Sequence, residues 1–456
     1  MRARILPSAS RRRISDPRHD AQPPRPETKA AAFARWLRIF GPGIITGAAD
    51  DDPSGIATYS QTGAQFGFGQ LWTALYQVPL LIAIQEACAR IGAVTGQGLA
   101  GVIRQHYSRK VLFGVVLLVV VANTINIGAD IGAVAEAARL VVDVPFGLLA
   151  ALTAVIVVVL EVFVSYRNYA RYLKWLVLSL LAYPATALIV REPWDKILEA
   201  TFIPHIEFSF AFVFIITGVF GTSISPYMFF WQASEEVEEE ISQGLIGEDG
   251  KARPTRAFIR DMRIDTTAGM IAAEIAQWFI IMTTATVLFT HGMHNINTAA
   301  DAARALEPLV SSFPNAGQLA KGLFAIGVIG LGLLGIPVLA GSAAYAFAEA
   351  MSWREGLSLK LHQARGFYGV IVASTMIGLG LNFIGIDPFK ALVFTAVFNG
   401  VAAVPLIFLI ALINRNRKIL GEWRGGPLSQ TVVWITFGIM ALSAVALFVT
   451  LLAPRA

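Results

Sequence analysis

An all-α integral membrane protein is the fold class this sequence predicts, and three observations carry it. Hydrophobic residues make up 55% of the chain and charged ones only 15%, against about 25% charged in an ordinary soluble protein. Apolar runs of about 20 residues, the length that crosses a bilayer as a helix, recur along the sequence. The short connections between them alternate between rich and poor in Arg and Lys. The single cysteine, Cys88, excludes a disulfide framework and a multi-cysteine metal site, and it reads as a small apolar packing residue.

The net charge of +5 does not indicate a nucleic-acid partner. Residues 1–38 hold ten Lys/Arg against three Asp/Glu, and the remainder holds 26 against 28, so the basic balance belongs to the tail. That tail, Arg11–Arg13 included, reads as a disordered basic cytoplasmic extension. Contact with anionic lipid is the alternative. No apolar core directly follows the early arginines, so no secretory signal is read there. Residues 39–456 then form one transmembrane domain.

Eleven spans are expected near 43–66, 70–92, 111–138, 146–165, 172–190, 210–232, 265–289, 319–349, 367–385, 389–413 and 430–453. Basic residues follow every even-numbered span: Arg104, Arg109 and Lys110; Arg167, Arg171 and Lys174; Arg253, Arg256, Arg260 and Arg263; Arg354, Lys360 and Arg365; Arg415, Arg417 and Lys418. The positive-inside rule therefore puts the N-terminus in the cytoplasm and the C-terminus outside, in a multi-pass plasma (inner) membrane protein. Leu99–Tyr107 is too short to cross and is expected along the interface. The acidic run Glu235–Glu240 is expected to extend span six into the cytoplasm as a solvated helical face. The segment 290–318, with His291, Met293 and His294, reads as a mobile polar outer loop, and a metal role for its histidines is the weaker alternative.

Span one carries the chemistry. Asp50, Asp51 and Asp52 sit inside an apolar segment and are followed by Pro53, Ser54 and Gly55. Carboxylates at bilayer depth are costly and mark an ion or substrate path. Pro53 removes a backbone donor and disfavours helix at Asp52. Two half-helices with an unwound centre are expected, the construction that discontinuous transporter helices use to hold cations. Span six repeats the pattern with Ser223, Ser225 and Pro226. A proline kink alone is common in membrane helices, but a break recurring five spans later means two inverted repeats, about 43–190 and about 210–413, with the helix 430–453 added.

Gly41-Pro-Gly43, Asp52-Pro53, Gly92–Gly96, Ser165-Tyr-Arg-Asn-Tyr169 and the Pro226 break together resemble the NRAMP superfamily of divalent metal transporters, over about residues 40–415. The resemblance implies a LeuT-type fold of 5+5 spans and proton-linked uptake of manganese or ferrous iron. It also places metal ligands at Asp52 and at the carbonyls of Ala49 and Thr222, and a proton-path carboxylate at Asp130. The family's Asp-Pro-Gly-Asn is here Asp52-Pro53-Ser54-Gly55, and its Met-Pro-His is Ser225-Pro226-Tyr227. The Glu three residues beyond Asp130 is Ala133.

A thioether favours softer metals, whereas hydroxyl, carbonyl and carboxylate oxygens suit Mg, Ca and Mn. Losing the Met and the Asn leaves a roomy, oxygen-lined, carboxylate-rich site, with the Ser225 hydroxyl as ligand and Asp50 and Asp51 attracting the ion. Such a site fits a cation that retains water, as magnesium does. Met228 reads as packing rather than as a replacement sulfur. Tyr227 in place of His and Ala133 in place of Glu weaken the expected coupling to protons, which Tyr rarely exchanges near neutrality. Other polar groups at membrane depth, Gln85, Glu86, Asn123, Asn126, Glu161, Glu274 and Asn399, either line the ion path or bond between helices. Glu86 and Glu274 join Asp130 as path candidates. The expected activity is therefore import of a divalent metal ion, as cargo and with no cofactor, by a secondary transporter that is not an enzyme. A sodium-coupled carrier of a small solute on the same fold, with Tyr59, Tyr227 and Phe230 at its pocket, and a metal-sensing receptor are the alternatives.

Overall fold

A computed structural model describes residues 41–164, 176–190, 192–247 and 252–452. The tail 1–38, the Ser165–Tyr169 turn and Arg167, Arg171 and Lys174 lie outside the described residues.

In chain order the helices are α1 (Pro42–Asp50), α2 (Pro53–Phe66), α3 (Trp72–Thr95), α4 (Leu99–His106), α5 (Arg109–Arg139), α6 (Phe146–Phe163), α7 (Ala182–Ile189) and α8 (Trp194–Phe202). There follow α9 (Phe210–Ser223), α10 (Pro226–Gln243), α11 (Arg256–Val287), α12 (Ala299–Ala303) and α13 (Ala316–Met351). The last are α14 (Arg365–Leu381), α15 (Pro388–Asn414), α16 (Arg417–Leu420) and α17 (Pro427–Leu452). Each expected span has helix in its described part, and the fifth is described only from a 3-10 turn at Leu176–Leu181 onward.

Both breaks fall where the prolines predict. α1 stops at Asp50, Asp51 and Asp52 are unwound, and Pro53 opens α2 at a position where its missing N–H removes no helical bond. α9 stops at Ser223, and Pro226 opens α10 in the same way. Among the eight long apolar helices of the described residues, the broken pair α9–α10 is the most enclosed, with 89% of its apolar window buried, whereas α6 and α17 bury only 28% of theirs. The interrupted helices are thus central, and α6 and α17 present their apolar surface outward, as lipid requires. One apolar core gathers Ala49, Phe220, Ile224 and Tyr227 on one side of the breaks. A second gathers Ile56, Tyr59, Ala133 and Val219 on the other. The unwound residues sit where these two cores meet.

α1 packs on α11 backbone to backbone. A Cβ added to Gly43 or Gly47 would overlap the main chain of Thr266 or Gly269, so only glycine allows this approach. Asp265 of α11 reinforces the seam by accepting the Gly41 N–H at 2.9 Å and the Gly43 N–H at 2.7 Å, two donors that the start of α1 leaves unpaired.

Three expectations change. The acidic run is no solvated face, because Glu236 and Glu240 are buried, with Gln232 donating to Glu236 at 2.9 Å. A helix end packed between neighbours turns one of its faces inward whatever its charge. Leu99–His106 forms the expected short helix, but Leu99–Ile103 is buried against the bundle. The segment 290–318 is built rather than loose: α12 is closed by a capping box between Thr298 and Asp301, and Ile296, Ala302, Leu306 and Val310 join the second core. His291 bonds the Val287 carbonyl, and the His294 ring packs edge-on against Phe289.

Candidate metal site

The centre of the site is Asp52, 1% exposed. One carboxylate oxygen accepts the Ser54 hydroxyl at 2.5 Å and the Gly55 N–H at 2.9 Å, which makes Asp52 the N-cap of α2. The other accepts the Asn126 amide of α5 at 3.2 Å and the Tyr227 hydroxyl of α10 at 3.5 Å. The Tyr227 hydroxyl also donates to the Ala49 carbonyl at 2.9 Å, tying the free end of α1 to the start of α10. Gly335 of α13 passes close by, and a Cβ there would lie 3.0 Å from that of Asp52. Asp52, Ala49 and Tyr227 are therefore brought together as the sequence suggests. Asn126 belongs with them, and its Oδ1 is buried without a partner. Its position on a helix 74 residues away in sequence gave no local signal beyond an amide at membrane depth.

Thr222 lies across the break, its hydroxyl 3.3 Å from that of Ser54. Ser225 is turned differently from the expectation. Its hydroxyl lies 2.5 Å from the Gly221 carbonyl and 2.8 Å from the Thr222 carbonyl, so it serves the bare C-terminal carbonyls of α9 instead of projecting toward Asp52. Met228 is fully buried in the first core.

The aspartates do not converge. Among the described residues no three His, Cys, Asp or Glu side chains are placed to hold one metal ion, so Asp50 and Asp51 lie beside Asp52 as neighbouring charge rather than as co-ligands. The three side chains remain close enough to repel one another through their charges, though not arranged around one point. Asp50 and Asp51 each keep one buried oxygen without a partner, and both face Glu274 of α11, which also has a bare oxygen. Beside them Tyr59 shares a hydrogen bond of 2.9 Å with Ser223. Asp130 faces Asp52 from α5 with both oxygens unpartnered. Glu86 is elsewhere: its carboxylate pairs with Arg90 one turn on and with Arg263 of α11 at 2.7 Å. An ion pair closing α3 onto α11 replaces the expected place in the path.

The donors around Asp52 are thus carboxylate, amide, hydroxyl and carbonyl oxygens, a set suited to hard cations. A cavity of about 820 Å³ opens at the end of the bundle holding Phe210, Asn295–Asn297 and Ile384, and it is lined by Gln61, Phe214 and Phe394. A smaller one of about 140 Å³ reaches Pro53 and Ala133.

Comparison with known proteins bears on the family and the fold. The model of the family described as natural resistance-associated macrophage protein-like (Nramp) matches residues 43–450. The chain is 24% identical over 421 residues to the divalent metal cation transporter MntH of Caldanaerobacter subterraneus subsp. tengcongensis, covering 91% of this chain and 94% of the relative. Its fold is similar to that of the Eremococcus coleocola manganese transporter, with a TM-score of 0.70, 16% identity and coverage of 95% and 91% of the two chains. It is also similar to MhsT solved with L-phenylalanine, at 0.59 and 13%, over 90% and 98%. The fold is the LeuT type with an eleventh helix, and the relatives are membrane transporters rather than enzymes. With interrupted helices meeting at Asp52 and a family match running through both of them, the chain belongs to the Nramp family of integral membrane proteins.

Proposed function

We propose that this chain carries a hard divalent cation, magnesium or manganese, into the cytoplasm by alternating access, with Asp52 as its charged ligand. The observation that carries the reading is the donor set at the break: Asp52, the unpartnered Asn126 Oδ1 and the Ala49 carbonyl are all oxygen or amide groups, and the nearby Met228 is committed to packing. Relatives named for divalent metal and manganese transport support the class of cargo. The metal is cargo and no cofactor is needed.

The Arg-rich connections put the Gly41 end of α1 and the Gln243 end of α10 in the cytoplasm. The cavity of about 820 Å³ then faces outward, with Asp52 buried beneath it and not part of its lining. Asp50, Asp51 and Glu274 add negative charge beside Asp52 and would attract the cation to the break. Proton coupling is weak in this reading, because Tyr227 hydrogen-bonds Ala49 and Asp52 and Ala133 supplies no carboxylate.

Uptake into proteoliposomes, compared across magnesium, manganese, cadmium and calcium with and without a pH gradient, tests the proposal. Saturable magnesium or manganese entry that Asp52→Ala abolishes is expected, with little acidification of the lumen. Near-normal entry in that variant would overturn the site. The aromatic lining of the outer cavity, Phe210, Phe214, Phe389 and Phe394, favours the second reading, a sodium-coupled solute carrier. Sodium-dependent solute uptake with no metal uptake would establish it instead.

A further inference from the structure

At the end of α10 away from the outer cavity, four segments are cross-tied through carboxylates that the cation site does not use. Glu349, in the last turn of α13, accepts the Gly101 N–H of α4 at 2.7 Å and the Ser234 hydroxyl of α10 at 3.1 Å. Arg104 of α4 returns the contact, donating to the Glu349 carbonyl at 2.6 Å and reaching Ser352. The carboxylate thus meets the bare N–H groups at the start of one helix, and the guanidinium meets the bare carbonyls at the end of the other. Farther along α10, Glu238 accepts the Tyr345 hydroxyl at 3.2 Å, and Tyr345 accepts the Leu357 N–H at 3.2 Å. Gly356, at a φ of +133°, lies so close to the Glu238 carboxylate that a Cβ would collide with it. The connection 352–364 is therefore strapped across both α10 and α13, and Tyr368 of α14 holds its Leu359 carbonyl at 2.7 Å.

Glu355 completes the cluster. It faces Glu349 of α13, Arg104 of α4 and Glu238 of α10, with one oxygen buried and unpartnered. Tyr345 also faces Glu235, and Tyr368 faces Glu238 and Glu161. One guanidinium against three carboxylates leaves excess negative charge in a poorly hydrated place, and a proton is the smallest group that relieves it.

We propose that Glu238, Glu349, Glu355 and Arg104 form a proton-keyed latch on the cytoplasmic side, which holds α10 against the 352–364 strap while Glu355 is protonated and releases it when that proton leaves. Opening the cation site inward requires α10 to move, since its first turn carries Tyr227 of the site. Cytoplasmic pH would thus set how readily the inner side opens, independently of any proton carried with the metal. The physiological meaning of opening rests on the transport reading above, but the latch does not.

The sign follows from burial. In the closed latch, burial and then the charge of Glu349 push the Glu355 carboxyl up to about 10. Once opened to water it returns to an ordinary value of about 4.3. The closed state therefore holds at least one extra proton. Its advantage is complete below about 4.3 and is lost as the pH rises toward about 10. Between those limits the open-to-closed ratio rises about tenfold per pH unit.

The test is a distance measurement by pulsed electron resonance on the full chain in nanodiscs. Spin labels go on cysteines at Gln243 and Lys360, both exposed and outside the latch, and the buried native Cys88 stays in place. From pH 6 to pH 8 the long-distance population of the doubly labelled protein should rise relative to the short one by about a hundredfold, or to saturation. Glu355→Gln and, as a second neutral variant, Glu355→Met should stay short at both values. An unchanged distribution in the protein with native Glu355, or a shift of the same size in a folded neutral variant, overturns the latch. Loss of metal uptake with the pH-dependent distances intact would refute the transport reading alone.

Discussion

Asp52 has two roles, and Asp52→Asn separates them. One oxygen caps α2 through Ser54 and Gly55, and asparagine is as good an N-cap as aspartate. The other oxygen becomes an amide nitrogen facing Asn126 and Tyr227. Asn126 can answer by turning its amide, since its Oδ1 has no other partner. The folding cost should therefore stay within about 1 kcal/mol, the size of one ordinary net hydrogen bond. Cation binding should change far more. Two unit charges 4 Å apart at an effective dielectric of about 20 attract by about 4 kcal/mol, so a divalent ion gains about twice that from the carboxylate. If two-thirds is offset by the ion's lost hydration, about 2.7 kcal/mol remains, a hundredfold in Kd. Calorimetric titration of magnesium and manganese into purified protein, beside a thermal unfolding curve, reads both numbers. A folded Asp52→Asn protein whose Kd lies within threefold of the native value would refute Asp52 as the charged ligand.

Four further outcomes are expected. Ser225→Ala should leave magnesium and manganese binding within about threefold by the same titration, because that hydroxyl bonds the Gly221 and Thr222 carbonyls and not the ion. Gly55→Asn should lower thermal stability by about 1–2 kcal/mol, since its Cβ would sit 3.1 Å from the Asp50 carbonyl and 3.3 Å from the Tyr59 ring. Gly47→Ala should cost about 1–3 kcal/mol by forcing α1 off the Gly269 backbone, and an unchanged unfolding midpoint would contradict that contact. Asp265→Ala should cost about 0.5–2 kcal/mol and speed hydrogen exchange at residues 41–46 selectively, because it strips the Gly41 and Gly43 amides of their acceptor.

The parts of the structure that were legible in sequence are those set by local chemistry. Pro53 and Pro226 each dictate a helix start, so both breaks, and the position of Asp52 at the first of them, could be read directly. Other features depend on neighbours far away in the chain. Glu86 looked like a path residue because Arg263, its partner, lies 177 positions on. Ser225 looked like a ligand because nothing local says whether a hydroxyl points into a site or back to the carbonyls of its own helix. Glu236 and Glu240 looked solvated because charge density suggests water, yet the face they occupy is decided by packing against other helices. Three adjacent aspartates cannot all aim at one point from a helical or extended backbone, and no three carboxylates gather around a single ion position among the described residues.

The glycine seam between α1 and α11 has a mechanical consequence. With Gly43 and Gly47 seated on the Thr266 and Gly269 main chain and Asp265 holding both starting amides, no layer of side chains lies between the two helices to shear. α1 and α11 should behave as one lever, so any movement of α1 in the proposed transport cycle would carry α11 with it. A covalent tether between these two helices would then leave the cycle free to turn, whereas a tether between α10 and α13 would arrest it. The small residues at the start of span one, which look at first like mere helix punctuation, thus decide that α1 and α11 are one rigid piece.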